Sequence, residues 1–132
     1  MAAANLVNDA KAVVSGEDNI VIVDVFQSIR GGRTLDVAGF TPDVIKAGHV
    51  IIKETATGEY KPMPVDADGT AYAELPSDHT YAGIEINTVL KTLPMAGILV
   101  RGTVNCKAAP YPMNSILAAV KTALPLIDFR ED

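Results

Sequence analysis

Hydrophobic positions along the chain fall in short runs rather than long helical stripes. From Asn19 to Gln27, the residues Ile20, Val21, Ile22, Val23, Val25 and Phe26 are nearly continuous, which predicts a strand covered on both faces. Val50 to Lys53 predicts a second strand, and Thr80 to Leu90 holds a third that starts near Gly83-Ile84. Met95 to Val104 predicts a fourth, with Gly102 inside it as a bulge or a close backbone approach. Turn signals separate these runs. Gly48 follows Lys46-Ala47 as a turn, and Thr57-Gly58 turns a hairpin into Tyr60 to Val65. Pro62 and Pro64 confine that segment to a sheet edge or an extended crossing. Asp66-Ala67-Asp68-Gly69 reads as a turn, because aspartate bonds its own downstream backbone and glycine accepts positive φ. Helical spacing occurs from Ile116 to Leu124, where Ile116, Leu117, Val120, Ala123 and Leu124 make one apolar stripe. Asn114 or Ser115 stands where a cap is needed, and Pro125 stops the helix. Leu126 to Phe129 follow as a short strand or tail.

Residues 1–18 read as a separate arm, and residues 19–132 as a single β-rich domain. The arm carries Leu6, Val7, Val13 and Val14 among alanines and few charges, and Ser15-Gly16-Glu17-Asp18 marks a loop after it. Two readings of this segment stay open: a frayed terminus, and an arm that orders against a partner, the latter because so apolar a stretch is an odd thing to leave in water.

Composition narrows the class. A length of 132 residues suits one domain. The 10 glycines and 8 prolines are spread between Val/Ile-rich runs, the pattern of many short strands joined by turns. The formal charge of −5 argues against nucleic acid and against an anionic membrane surface as partners. No apolar run approaches the roughly 20 residues of a transmembrane helix, and the first residues do not read as a secretory signal. Cys106 is the single cysteine, which fits a reducing compartment.

A search for chemistry yields no reaction centre: no catalytic residue, metal set or cofactor site is expected. His49 heads an apolar strand and His79 sits in a polar loop, with no ligand spacing between them. Cys106 has no neighbouring histidine to activate it. Asp66-Ala67-Asp68-Gly69 lacks the acidic first and closing positions of a calcium loop. Gly31-Gly32-Arg33 lacks the spacing of a phosphate loop. Two alternatives stay open. A small ligand-binding domain of a metabolic enzyme would have to bring Arg101, with Arg30 or Arg33, to His49 or His79 in one concave site. A carrier domain would be modified on Lys46, although Ile45 stands where such domains place an acidic residue or methionine.

Several segments in order carry a family resemblance. They are Ile45-Lys46-Ala47-Gly48-His49-Val50-Ile51, then Thr55-Ala56-Thr57-Gly58-Glu59-Tyr60-Lys61-Pro62, the Asp68-Gly69 turn and Ala82-Gly83-Ile84. Ala96-Gly97-Ile98-Leu99-Val100-Arg101-Gly102-Thr103-Val104-Asn105 follows, and then a helix ending in Ala123-Leu124-Pro125. Over about residues 42–128 the chain resembles the lambda-type head decoration proteins of tailed phages.

The resemblance implies a mainly β chain with one short C-terminal helix, a β-clip (β-tulip)-like small barrel or sandwich with an extended N-terminal arm. It implies a structural, non-enzymatic protein on the exterior of the virion capsid, made in the host bacterial cytoplasm. The implied partners are the major capsid protein, two further copies in a homotrimer, and other head proteins. Leu6, Val7, Val13 and Val14 are the expected capsid contacts, with strand addition as their mode. Gly48 and Gly102 are the expected structural turn and bulge.

Overall fold

The computed structural model describes Gly16 and residues 18–131. The arm contacts Leu6, Val7, Val13 and Val14 lie outside the described residues. One helical turn, α1 (Asp18–Val21), leads into β1 (Ile22–Ser28). Two short strands follow, β2 (Arg33–Thr34) and β3 (Val44–Ile45), then the hairpin of β4 (Val50–Glu54) and β5 (Tyr60–Pro62). Next come β6 (His79–Glu85), β7 (Val89–Leu90), β8 (Met95–Ala96) and β9 (Ile98–Asn105). A 3-10 turn at Cys106–Ala108 precedes α2 (Leu117–Ala123) and β10 (Ile127–Arg130).

The central sheet runs β1-β9-β6-β4-β5, and β10 lies parallel to β9 beyond the end of β6. β2 pairs with β8, and β3 with β7, in two small ladders. The chain is therefore mainly β with a short C-terminal helix. The expected small barrel is not seen among the described residues, because the central sheet stays open, with β1 and β5 as its edges. Pro62 lies on the β5 edge, where its missing N–H costs no ladder bond.

Strand alternation sends side chains into two cores. Val50, Ile52, Ile84, Leu99 and Val104 pack with Val120 and Leu124 around α2 and with Ile127 and Phe129 of β10. Ile51 and Ile98, their chain neighbours, face the second core with Leu35, Phe40, Ile45 and Ala96. The middle of the sheet is thus covered on both faces, which accounts for its unbroken apolar runs.

Gly48 fixes how the chain enters this sheet. The His49 N–H donates to the Lys46 carbonyl, and Gly48 takes φ 90°. Gly48 and His49 then both oppose Glu85: the Gly48 N–H donates to the Glu85 carbonyl, and the Glu85 N–H donates to the His49 carbonyl. This is a turn running into a glycine bulge, and a Cβ at Gly48 would strike Val21.

Several expectations from the sequence need correction. The strand expected over Asn19 to Gln27 begins at Ile22, after a helical turn, and it is not covered on both faces. Val21 and Ile22 are buried, whereas residues 23–28 are exposed. The turn forms because the Asp18 carboxylate accepts from both the N–H and the hydroxyl of Thr88, which seats Val21 in the core. Thr80 to Leu90 divides into β6 and β7, and Gly83-Ile84 lies inside β6 rather than at its start. Met95 to Val104 divides at Gly97, because β8 pairs with β2 and β9 joins the central sheet. Neither Asn114 nor Ser115 caps α2: Ile116 holds that position without a side-chain bond. The Met113 carbonyl instead accepts from the N–H groups of Ile116 and Leu117.

Candidate functional site

β1 carries the most conspicuous surface of the molecule. Val23 is 55% exposed and Phe26 69%, with Ile20 and Val25 also open to solvent. β9 pairs with one edge of β1, and no described strand pairs with the other. An exposed apolar strand at a sheet edge is the ordinary signature of an association surface. Relative to β9, β1 holds extra residues at Val23 and Phe26, and β9 holds one at Val100, so the pairing is interrupted three times. The Arg101 guanidinium lies 4.3 Å from the centre of the Phe26 ring, a cation–π contact that holds the exposed ring in place.

The polar groups singled out from the sequence are dispersed. His49 is buried, with its Nε2–H donating to the Met63 carbonyl at 2.8 Å. Its ring meets Phe40, Tyr72 and Tyr111 edge-on, at 5.1–5.5 Å between centroids. Burial pushes its pKa down to about 4, opposed by the Met63 bond. His49 is thus part of the core.

His79 stands elsewhere. Its Nδ1 donates to the Ser77 carbonyl at 2.7 Å, which leaves Nε2 to accept from the Lys61 ammonium at 3.3 Å. Lys61 also pairs with Glu54 at 3.2 Å. The Thr57 hydroxyl and Lys61 together hold the Glu54 carboxyl below its usual range. Lys61 and His79 border a cavity of about 390 Å³, floored by Phe40, Ile52 and Pro62.

Arg101 takes no part in that cavity, because its guanidinium lies on Phe26 of β1. Arg33 donates to the carbonyls of Arg30 and Gly32 and rests over Tyr60. The structure therefore does not gather Arg101 and a histidine into one concave site. Lys46 is exposed on the turn before Gly48. Cys106 is partly buried, and burial pushes its thiol up. No group of three or more His, Cys, Asp or Glu residues is placed to hold a metal among the described residues. No described helix is long and apolar enough to cross a membrane.

Two features escaped the reading of the sequence. One is the exposure of β1, whose signal was Asp24, Gln27 and Ser28 interrupting the apolar run. The other is Glu85, fully buried at the end of β6, with neither carboxylate oxygen partnered among the described residues. Burial raises its pKa to about 9. The Asn87 N–H opposes this, and Asp18 adds to it. Its only sequence trace is a lone acid between Ile84 and Ile86.

No protein-family model, curated protein or solved structure matches the chain.

Proposed function

We propose that the protein is a structural component of a tailed-phage head, a β-clip decoration protein that binds the outside of the capsid shell and cements neighbouring subunits of the major capsid protein. Its work is binding rather than catalysis, and it acts in multiple copies, as a trimer on the shell. The observation that carries this reading is the apolar surface of β1. Val23, Val25 and Phe26 stand exposed on the strand that the apolar N-terminal arm leads into. A protein that clamps a shell needs such a surface and a rigid scaffold behind it, and the doubly covered sheet supplies the scaffold. Modest contacts suffice, because several copies engaging several shell subunits multiply them through effective concentration.

Quantitative mass spectrometry of purified virions tests the proposal. The expected result is a fixed simple ratio of this chain to the major shell protein. Complete absence from particles overturns it.

A further inference from the structure

We infer that the cavity beside Lys61 and His79 is a binding site for a small organic cation, a primary amine carried on an apolar stem. Its volume of about 390 Å³ is that of a small-molecule site. Phe40 and Ile52 on the floor, with Pro62, Pro64 and Pro76 in the walls, offer surface to an apolar stem. The polar groups select the charge. Prolines have no N–H to offer. The N–H groups of Asp36, Phe40 and Asp66 are spent on the carbonyls of Tyr60, Val37 and Ala71, and that of Ala38 on one oxygen of the Asp36 carboxylate. The Lys61 ammonium is held by Glu54 and His79, and the His79 Nδ1–H by the Ser77 carbonyl. These donors are engaged, whereas acceptors remain. Asp36 and Asp66 both border the cavity, half-buried, and the second Asp36 oxygen has no hydrogen-bond partner among the described residues. Bonds from the N–H groups of Thr70 and Ala71 hold the Asp66 carboxyl below its usual range, so it stays charged. Glu54, which does not line the cavity, offsets the charge of Lys61 and leaves the two aspartates uncompensated. An ammonium group seated on Asp36 answers that charge. A carboxylate there would face two like charges and would have to take Lys61 from Glu54.

This site goes beyond capsid binding and does not depend on it, since the cavity lies by β5, at the opposite edge of the central sheet from β1. Titration of the isotope-labelled full chain with phenethylamine, phenethyl alcohol and phenylacetate at neutral pH, followed by amide chemical shifts, tests it. The three probes share a ring and differ in charge. Phenethylamine should bind saturably, with its largest shifts around the cavity at Ala38, Gly39 and Ala67. The alcohol and the carboxylate should bind at least about ten-fold more weakly. Asp36→Asn keeps the oxygen that accepts from Ala38, and it should weaken the amine by about ten-fold while leaving the alcohol unchanged. Lys61→Gln removes a like charge and should strengthen the amine by about two- to five-fold. No saturable shift with the amine, phenylacetate binding as tightly as the amine, an amine affinity indifferent to Asp36→Asn, or one lowered by Lys61→Gln overturns the assignment. Those results leave the virion count untouched, and absence from virions would leave the amine site standing.

Discussion

Gly102 of β9 and Asp24 of β1 approach so closely that a Cβ on residue 102 would collide with the Asp24 carbonyl oxygen and crowd the Leu99 side chain. The pairing there depends on a residue without a side chain, because the obstacle is backbone and cannot rotate away. Gly102→Val should destabilise the domain by about 1–3 kcal/mol, read as a lower urea midpoint. Gly16→Ala, with nothing within 4 Å of the added methyl, is the control and should leave the midpoint in place. Equal midpoints for the two variants would refute the close-approach account.

Tyr72 satisfies a buried donor. Its hydroxyl oxygen accepts from the Val50 N–H at 3.1 Å, at the start of β4. Tyr72→Phe keeps the ring contact with His49 but strands that N–H, at a cost of about 1–3 kcal/mol. Tyr111→Phe, in the same aromatic cluster but without such a bond, should cost less. Chemical denaturation of both variants decides the ranking.

Stability should peak in mildly acidic solution. His49 ordinarily titrates near 6.5 and is pushed to about 4, so the unfolded chain binds the extra proton between those values and stability rises with pH there. Glu85 ordinarily titrates near 4.5 and is pushed to about 9, so the folded chain holds the extra proton and stability falls as pH climbs through that range. The two slopes cancel between 4.5 and 6.5, which leaves a plateau. Above it Glu85 acts alone, and by neutral pH it costs on the order of a few kcal/mol. Glu85→Gln should remove the decline above pH 6.5 and turn the plateau into a rise that continues to about pH 6.5, the part due to His49. Thermal melts from pH 4 to 9 measure both limbs, and an unchanged alkaline decline in the variant would sink the assignment.

The division between arm and domain also has a measurable edge. Removing residues 1–15 should leave the melting temperature near that of the full chain and abolish cosedimentation with expanded shells. Asp18→Ala should lower stability by about 1–3 kcal/mol, because Thr88 loses both of its bonds to the carboxylate. A truncated chain that still binds shells would show that Leu6, Val7, Val13 and Val14 are not the contacts.

The parts of the fold legible in the sequence were those fixed by local chemistry. Gly48 and Gly69 sit in turns, Pro62 marks an edge, and the stripe from Ile116 to Leu124 is a helix with its start shifted by one residue. Partners distant in sequence decided the rest. Nothing near Gly97 says that Met95 and Ile98 belong to different sheets, since that follows from the position of β2. Nothing near Asp18 says that a helical turn interrupts the apolar run, since that follows from Thr88. β1 looked covered because periodicity reports how apolar a strand is, not whether anything lies on it. The cavity beside Lys61 joins loops that only the fold brings together.

β9 is flanked by β1 along one edge and by β6 and β10 along the other. The two strands that enclose its second half come from nearly opposite ends of the chain. A nascent chain leaving the ribosome therefore holds β1 and β9 for some time before β10 emerges to complete the sheet. Folding of this domain is governed by contacts between distant segments and should be slow for its size. During that interval the β9 edge from Gly102 to Asn105 is unpaired and open to other nascent chains, so the arrival of β10 is the step that guards against misassembly.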